Sequence, residues 1–220
     1  MLIAFLFLPG FVAGQAATET PRALPDSIPI FPLPDVTLFP NSTQPFHIFE
    51  ARYRSMVADA LEGDSIIGMV TLQPGFEDEY DGRPPVYALG CAGVIVASEQ
   101  LDDGRYNIVL RGLTKFRVLS EDEGRPYRLA EVEAMSDGLD DVDPDLLSER
   151  RRQLEDALLS AIPSARMPSP DLPDEQVIDG LALAIPLEPA ERLELLEAEG
   201  PIERAQRLIR WLRGGPPSSL

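Results

Sequence analysis

A β-rich half followed by a helical half is what this chain predicts. The fold class is α+β: a twisted antiparallel β-sheet or half-barrel with one inserted helix, then a bundle of about four helices. Three observations carry the prediction. Between Ile28 and Met135 the apolar residues fall in short runs rich in Val, Ile and Phe, punctuated by Gly, Pro and an Asp-Gly pair. Ala51–Leu61 alone breaks that pattern, with Tyr53, Met56, Val57, Ala60 and Leu61 at helical spacing. After Ser136 the composition changes, and apolar residues recur at helical intervals between prolines and glycines.

Taken in order, Ile28–Leu33 and Gln44–Phe49 read as strands joined by the turn-rich loop Pro34–Ser42. The helix over Ala51–Leu61 stops at Gly63, and Ser65–Leu72 is a short apolar strand. Gln73–Pro85 is a polar loop interrupted by Phe76 and Tyr80. Val86–Ser98 is a long strand in which Gly90 and Gly93 mark a bulge or a close backbone approach. Asp102-Asp103-Gly104 makes a hairpin turn, because Asp-Gly accepts the positive backbone angles of tight hairpins. Arg105–Leu110 returns as a strand, Gly112 introduces a bend, Thr114–Ser120 continues the sheet, and Arg128–Met135 is the last strand.

The run from Asp137 to Asp143 is an acidic linker. Asp143 then caps a helix with Pro144 at its first position, and Leu147, Leu154, Leu158 and Ile162 form the inner stripe. The segment Pro163–Pro170 breaks it. Pro173–Ile185 turns Val177, Ile178, Leu181 and Ile185 inward, and Pro189–Ala198 is ended by Gly200. Pro201–Arg213 turns Ile202, Ala205, Leu208, Ile209 and Leu212 inward and closes at Gly214. Each stripe needs a partner, so the helices pack together and against the sheet. The expected organisation is a leader over residues 1–25, a β-rich unit over 26–136, a helical bundle over 137–213 and a flexible tail over 214–220.

Charge narrows the function. Asp plus Glu number 37 against 19 Lys plus Arg, a formal net charge of -18. Nucleic-acid binders neutralise phosphates with Lys and Arg, so the balance argues against DNA or RNA, and against an anionic membrane surface. Leu2–Ala13 is a continuous apolar stretch too short for a comfortable membrane span. Gly14-Gln15-Ala16 follows with small residues where a signal peptidase reads, which predicts an exported, periplasmic chain cleaved after Ala16. No Lys or Arg precedes Arg22, however, so a cytoplasmic chain with a misplaced start stays open as the other reading.

The inventory of reactive groups is thin. Lys115 is the only lysine and sits in no phosphate-cradling glycine loop. His47 is the only histidine, between Phe46 and Ile48, and reads as structural; no Gly-x-Ser-x-Gly elbow accompanies it. Cys91 is the only cysteine and reads as a small buried core residue. The usual zinc ligand sets are lacking, and the acidic clusters at Glu77–Glu79 and Asp140–Asp141 read as solvated loops rather than a calcium site. Glu50, Arg52 and Arg54 surround a helix start, where Glu50 suits the positive end of the dipole. No cofactor, metal or catalytic group is expected. Binding remains. Phe76 and Tyr80 are the candidate polypeptide-binding residues, because aromatics in an otherwise polar loop suit recognition of apolar polypeptide; a loop folded back to bury them is the competing reading.

The run Pro29–Pro40 followed by Pro45–Val57 resembles the opening of the substrate-binding N-terminal domain of Lon proteases. Gly90–Ile95 with Asp103–Val118 resembles that family's central hairpin, Pro126–Val132 its closing strand, and Leu187–Leu212 its paired C-terminal helices. The likeness covers Ile28 to Arg213 in order. It implies a PUA-like β subdomain ahead of a helical bundle, and a non-catalytic module that grips unfolded or client polypeptide without an ATPase or a peptidase. The alternatives are an assembly or adaptor protein that binds one folded partner or itself, and, more distantly, a hydrolase built on His47 or Cys91.

Overall fold

The computed structural model describes residues 24–76, 80 and 82–214. The leader expected over 1–25 lies outside that range except for Leu24 and Pro25, and so does the tail beyond Gly214. Six strands and five α-helices occur among the described residues: β1 (Ser27–Leu33), β2 (Thr43–Ile48), α1 (Ala51–Glu62), β3 (Ile66–Leu72), β4 (Val86–Gln100), β5 (Tyr106–Asp122), β6 (Arg128–Met135), α2 (Pro144–Ala161), α3 (Asp174–Ala184), α4 (Pro189–Glu197) and α5 (Pro201–Leu212).

The long strand β5 organises the sheet. One edge pairs with β4 from Tyr106 to Arg117; the other pairs first with β2 and then with β6. β6 also pairs with β1, β1 with β3, and β3 with β4, so five strands close into a barrel with β2 as a side strand. All pairings are antiparallel except β1–β3, which is parallel because α1 lies in the connection between them. Pro45 has no N–H to donate, and the edge position of β2 tolerates it.

Gly112 does not divide the strand. β5 runs through it, and a register shift at Ala92/Gly93 of β4 absorbs the bend. The Pro34–Ser42 loop lies directly on this point: Gly112 N–H donates to the Ser42 carbonyl at 2.8 Å and its own carbonyl accepts from Asn41 N–H at 3.2 Å. A Cβ at 112 would stand 2.0 Å from the Phe39 carbonyl oxygen, so only glycine fits. The Asp-Gly turn forms as expected, with Gly104 at φ 80° and Asp103 accepting from Arg105 N–H at 3.1 Å.

Strand alternation feeds two cores. Ile28 and Ile30 of β1 join Ile66, Val70, Ala92, Phe116, Ala130 and Val132 in the smaller one. Phe31, on the other face, joins a larger cluster that runs from α1 (Tyr53, Met56, Val57) into the helical half through Leu154, Ile178, Leu195 and Leu208. The helical half is therefore packed on the barrel, and truncating a side chain such as Phe116 would cost about 3–5 kcal/mol. The Asp143 cap forms as read, its carboxylate accepting from Asp145 N–H at 3.0 Å with Pro144 leading the helix. Ile162 departs from the expected stripe: α2 ends at Ala161, and Ile162 is 40% exposed. No described helix is long and apolar enough to cross a membrane.

A charged cluster sits where the two halves meet. Arg204 of α5, fully buried, donates to Asp179 of α3 and, at 2.6 Å, to Asp137 after β6, and its Nε donates to the Leu195 carbonyl. Lys115 of β5 donates to the Ala198 carbonyl at 2.6 Å and stands 3.5 Å from Asp137. Asn41 donates to the second oxygen of Asp179 at 3.1 Å. Burial pushes the Asp179 carboxyl up, to about 7, against the pull of Arg204.

Candidate functional site

The loop after β3 and the start of α1 build one surface together. Glu50 is the N-cap residue of α1, yet its carboxylate makes no capping bond. Instead it accepts from Arg52 Nε at 2.9 Å and from the Tyr80 hydroxyl at 3.1 Å. The Arg52 guanidinium lies 4.5 Å from the Tyr53 ring centroid and 4.7 Å from that of Tyr80, within cation–π reach of both rings. Burial pushes both phenols above their ordinary range, so the two rings stay neutral hydrogen-bonding groups.

The two sequence-predicted binding residues separate here. Tyr80 is half-buried, packed on the larger core and tied to Glu50. Phe76 is half-buried and belongs to neither core. No contact between them is among those described. The acidic run Glu77–Glu79 lies outside the described residues. Sequence reading missed Phe49. Expected inside a strand, it lies just past the end of β2 and is 62% exposed, the largest exposure of any large described hydrophobic residue. The signal was present: Phe46 and Ile48 share one strand face, which leaves Phe49 out of phase. It directly precedes Glu50, so Phe49 and Tyr80 both lie at the start of α1.

The reactive groups are placed elsewhere. His47 is exposed on β2; its Nδ1 lies 2.8 Å from Asn107 Oδ1 and its Nε2 accepts from Arg105 at 3.1 Å. Both ring nitrogens are thus engaged, and neither bonds a serine, threonine or cysteine among the described residues. Cys91 is fully buried on β4, and burial pushes its thiol up, away from the nucleophilic thiolate. Lys115 is held by carbonyls and Asp137 at the interface between the two halves, and burial pulls its ammonium down. No group of three or more His, Cys, Asp or Glu suited to a metal occurs among the described residues.

A five-stranded barrel docked on helices defines a module of mixed α+β class. Residues 27–214 match the model of the ATP-dependent protease La (LON) substrate-binding domain. The chain belongs to that family. Among curated relatives, Lon protease 2 of Myxococcus xanthus is 30% identical over 135 residues, 56% of this chain and 16% of the relative. The Lon protease of Dictyoglomus thermophilum is 26% identical over 202 residues, 86% of this chain and 24% of the relative. The chain thus spans about a sixth to a quarter of the length of these relatives. Among solved structures, a Lon N-terminal domain protein from Xanthomonas campestris is 27% identical with a TM-score of 0.58, covering 86% of this chain and 99% of that one. The N-terminal domain of a Mycobacterium avium complex Lon protease shares the fold at 19% identity and TM-score 0.60, covering 86% and 98%.

Proposed function

We propose that this chain is a non-catalytic polypeptide-recognition module, gripping unfolded or client protein at the surface around the start of α1. The observation that carries the reading is the family match over residues 27–214. The exposed ring of Phe49 and the half-buried Tyr80 give that surface an aromatic character suited to unfolded chain, and the half-buried Phe76 lies in the same loop as Tyr80. The buried thiol, the carbonyl-bound lysine and the doubly engaged histidine support the absence of catalysis. The test is binding of a fluorescently labelled, permanently unfolded polypeptide, with its folded form as control. Selective binding of the unfolded chain, weakened by Phe76→Ala with Tyr80→Ala and further by Phe49→Ala, is expected; equal binding of the folded form would sink the reading.

A second reading, an assembly or adaptor protein that binds one folded partner or itself, is favoured by one observation. An apolar groove of about 380 Å³ lies on the helical half, bounded by Ile162, Ile185, Leu187, Leu208, Trp211 and Leu212. Light scattering decides the self-association arm: a strict monomer at high concentration removes it.

A further inference from the structure

A cavity of about 360 Å³ opens between the first turn of α1, the end of the β3–β4 loop and the β5–β6 loop. Four arginines line it, Arg52, Arg83, Arg125 and Arg128, against the single carboxylate of Glu123. In a chain of net charge -18 that convergence runs against the overall balance. Three of the four are paired: Arg52 with Glu50, Arg125 with Asp59 at 3.0 Å, and Arg128 with both oxygens of Glu121.

Arg83 is different. Its two terminal nitrogens donate only to main-chain carbonyls, those of Asp122 at 3.0 Å and Arg125 at 3.2 Å, and no carboxylate of the described residues pairs with it. Among the described residues its charge therefore has no carboxylate partner. Arg52 adds a second deficit, because its Nη2 is buried and has no hydrogen-bond partner among the described residues. A buried guanidinium N–H without an acceptor carries a desolvation penalty that an arriving oxygen anion would remove. A planar guanidinium fork matches a carboxylate in geometry and charge.

From these observations we infer that the arginine-lined cavity is a carboxylate-binding site that holds an acidic group of a bound polypeptide, either an Asp or Glu side chain or a free C-terminus. The inference rests on the polypeptide-recognition reading and names the chemistry it selects. It also opposes the simpler expectation that so acidic a protein prefers basic clients.

The test uses the full chain and four labelled versions of one apolar peptide: amidated with a central Gln, amidated with a central Glu, amidated with a central Lys, and the Gln version with a free C-terminal carboxylate. Anisotropy titrations should show the Glu version, the free-acid version or both binding about five- to tenfold more tightly than the amidated Gln version, one charge-assisted contact's worth. Which version gains tells the side chain from the terminus. Arg83→Gln should erase the preference while leaving the Gln peptide's affinity unchanged, and Arg83→Lys should retain part of it. Equal affinities, tightest binding of the Lys version, or a preference that survives Arg83→Gln overturns the inference while leaving polypeptide recognition in place. Should no peptide bind, N-acetylglutamate titrated against isotope-labelled protein decides the site alone. Saturable shifts of the Arg52 and Arg83 Nε–H signals sustain the carboxylate site and dismiss the polypeptide reading; their absence dismisses both.

Discussion

Arg204 and Arg83 stand at opposite ends of what an arginine does in this chain. Arg204 has no exposed surface; two aspartates and a carbonyl accept its bonds, and it joins α5 to α3 and to the end of β6. Arg83 is exposed at a loop and, among the described residues, is bonded to carbonyls and to no carboxylate. A buried ion whose bonds are satisfied within the fold has nothing left to offer a ligand, and removing it strands its partners. An open cation with no partnering anion adds little to stability and keeps its attraction for whatever arrives. The contrast separates the part of the molecule that maintains the docking of the halves from the part available for recognition.

The sharpest way to break this contrast is Arg204→Met. It leaves Asp179 and Asp137 buried without their cation and should cost about 3–5 kcal/mol in a urea titration. A loss below about 1 kcal/mol would show that water reaches the cluster and that it is not a buried clamp. Lys115→Met should cost less, about 1–3 kcal/mol, because it removes the donor to Ala198 but leaves Arg204 to hold Asp137. An effect as large as that of Arg204→Met would make the lysine an equal partner.

The pH dependence comes next. The Asp179 carboxyl, raised to about 7 in the folded chain, holds a proton that the unfolded chain has released from about pH 4 upward. Its contribution to stability therefore falls as pH rises from about 4 to 7. Asp179→Asn should flatten that part of the stability profile relative to the wild type; an unchanged slope would assign the dependence to other groups. Smallest of all, Arg83→Gln should leave the unfolding free energy within about 0.5 kcal/mol of the wild type. A larger loss would mean that Arg83 is needed to fasten the β5–β6 loop, and the contrast would narrow.

Local signals made most of the framework legible. The helix cap at Asp143, the Asp-Gly turn and the apolar stripes of α3 depend on residues a few positions apart, and each formed where the sequence placed it. Closure of the barrel was not legible, because it depends on β5 changing partners from β2 to β6, a long-range event without a local pattern. Arg204 was hidden for a related reason. On an amphipathic helix an arginine reads as solvent-facing, and only the arrival of Asp179 and Asp137, distant along the chain, makes its burial tolerable. At the candidate site, Tyr80 was visible as an aromatic out of place in a polar loop, but its bond to Glu50 was not. Phe49 was concealed by counting it into a strand that ends one residue earlier.

The single tryptophan, Trp211, lies on α5, while all five tyrosines, Tyr53, Tyr80, Tyr87, Tyr106 and Tyr127, lie between α1 and the start of β6. The chain thus carries two natural optical reporters, one per half. Indole emission follows the helices, and tyrosine absorbance follows the barrel. Because the larger core runs through both halves, the two signals should change together in a denaturant titration. Arg204→Met, which weakens the joint between the halves, is the variant in which they should come apart.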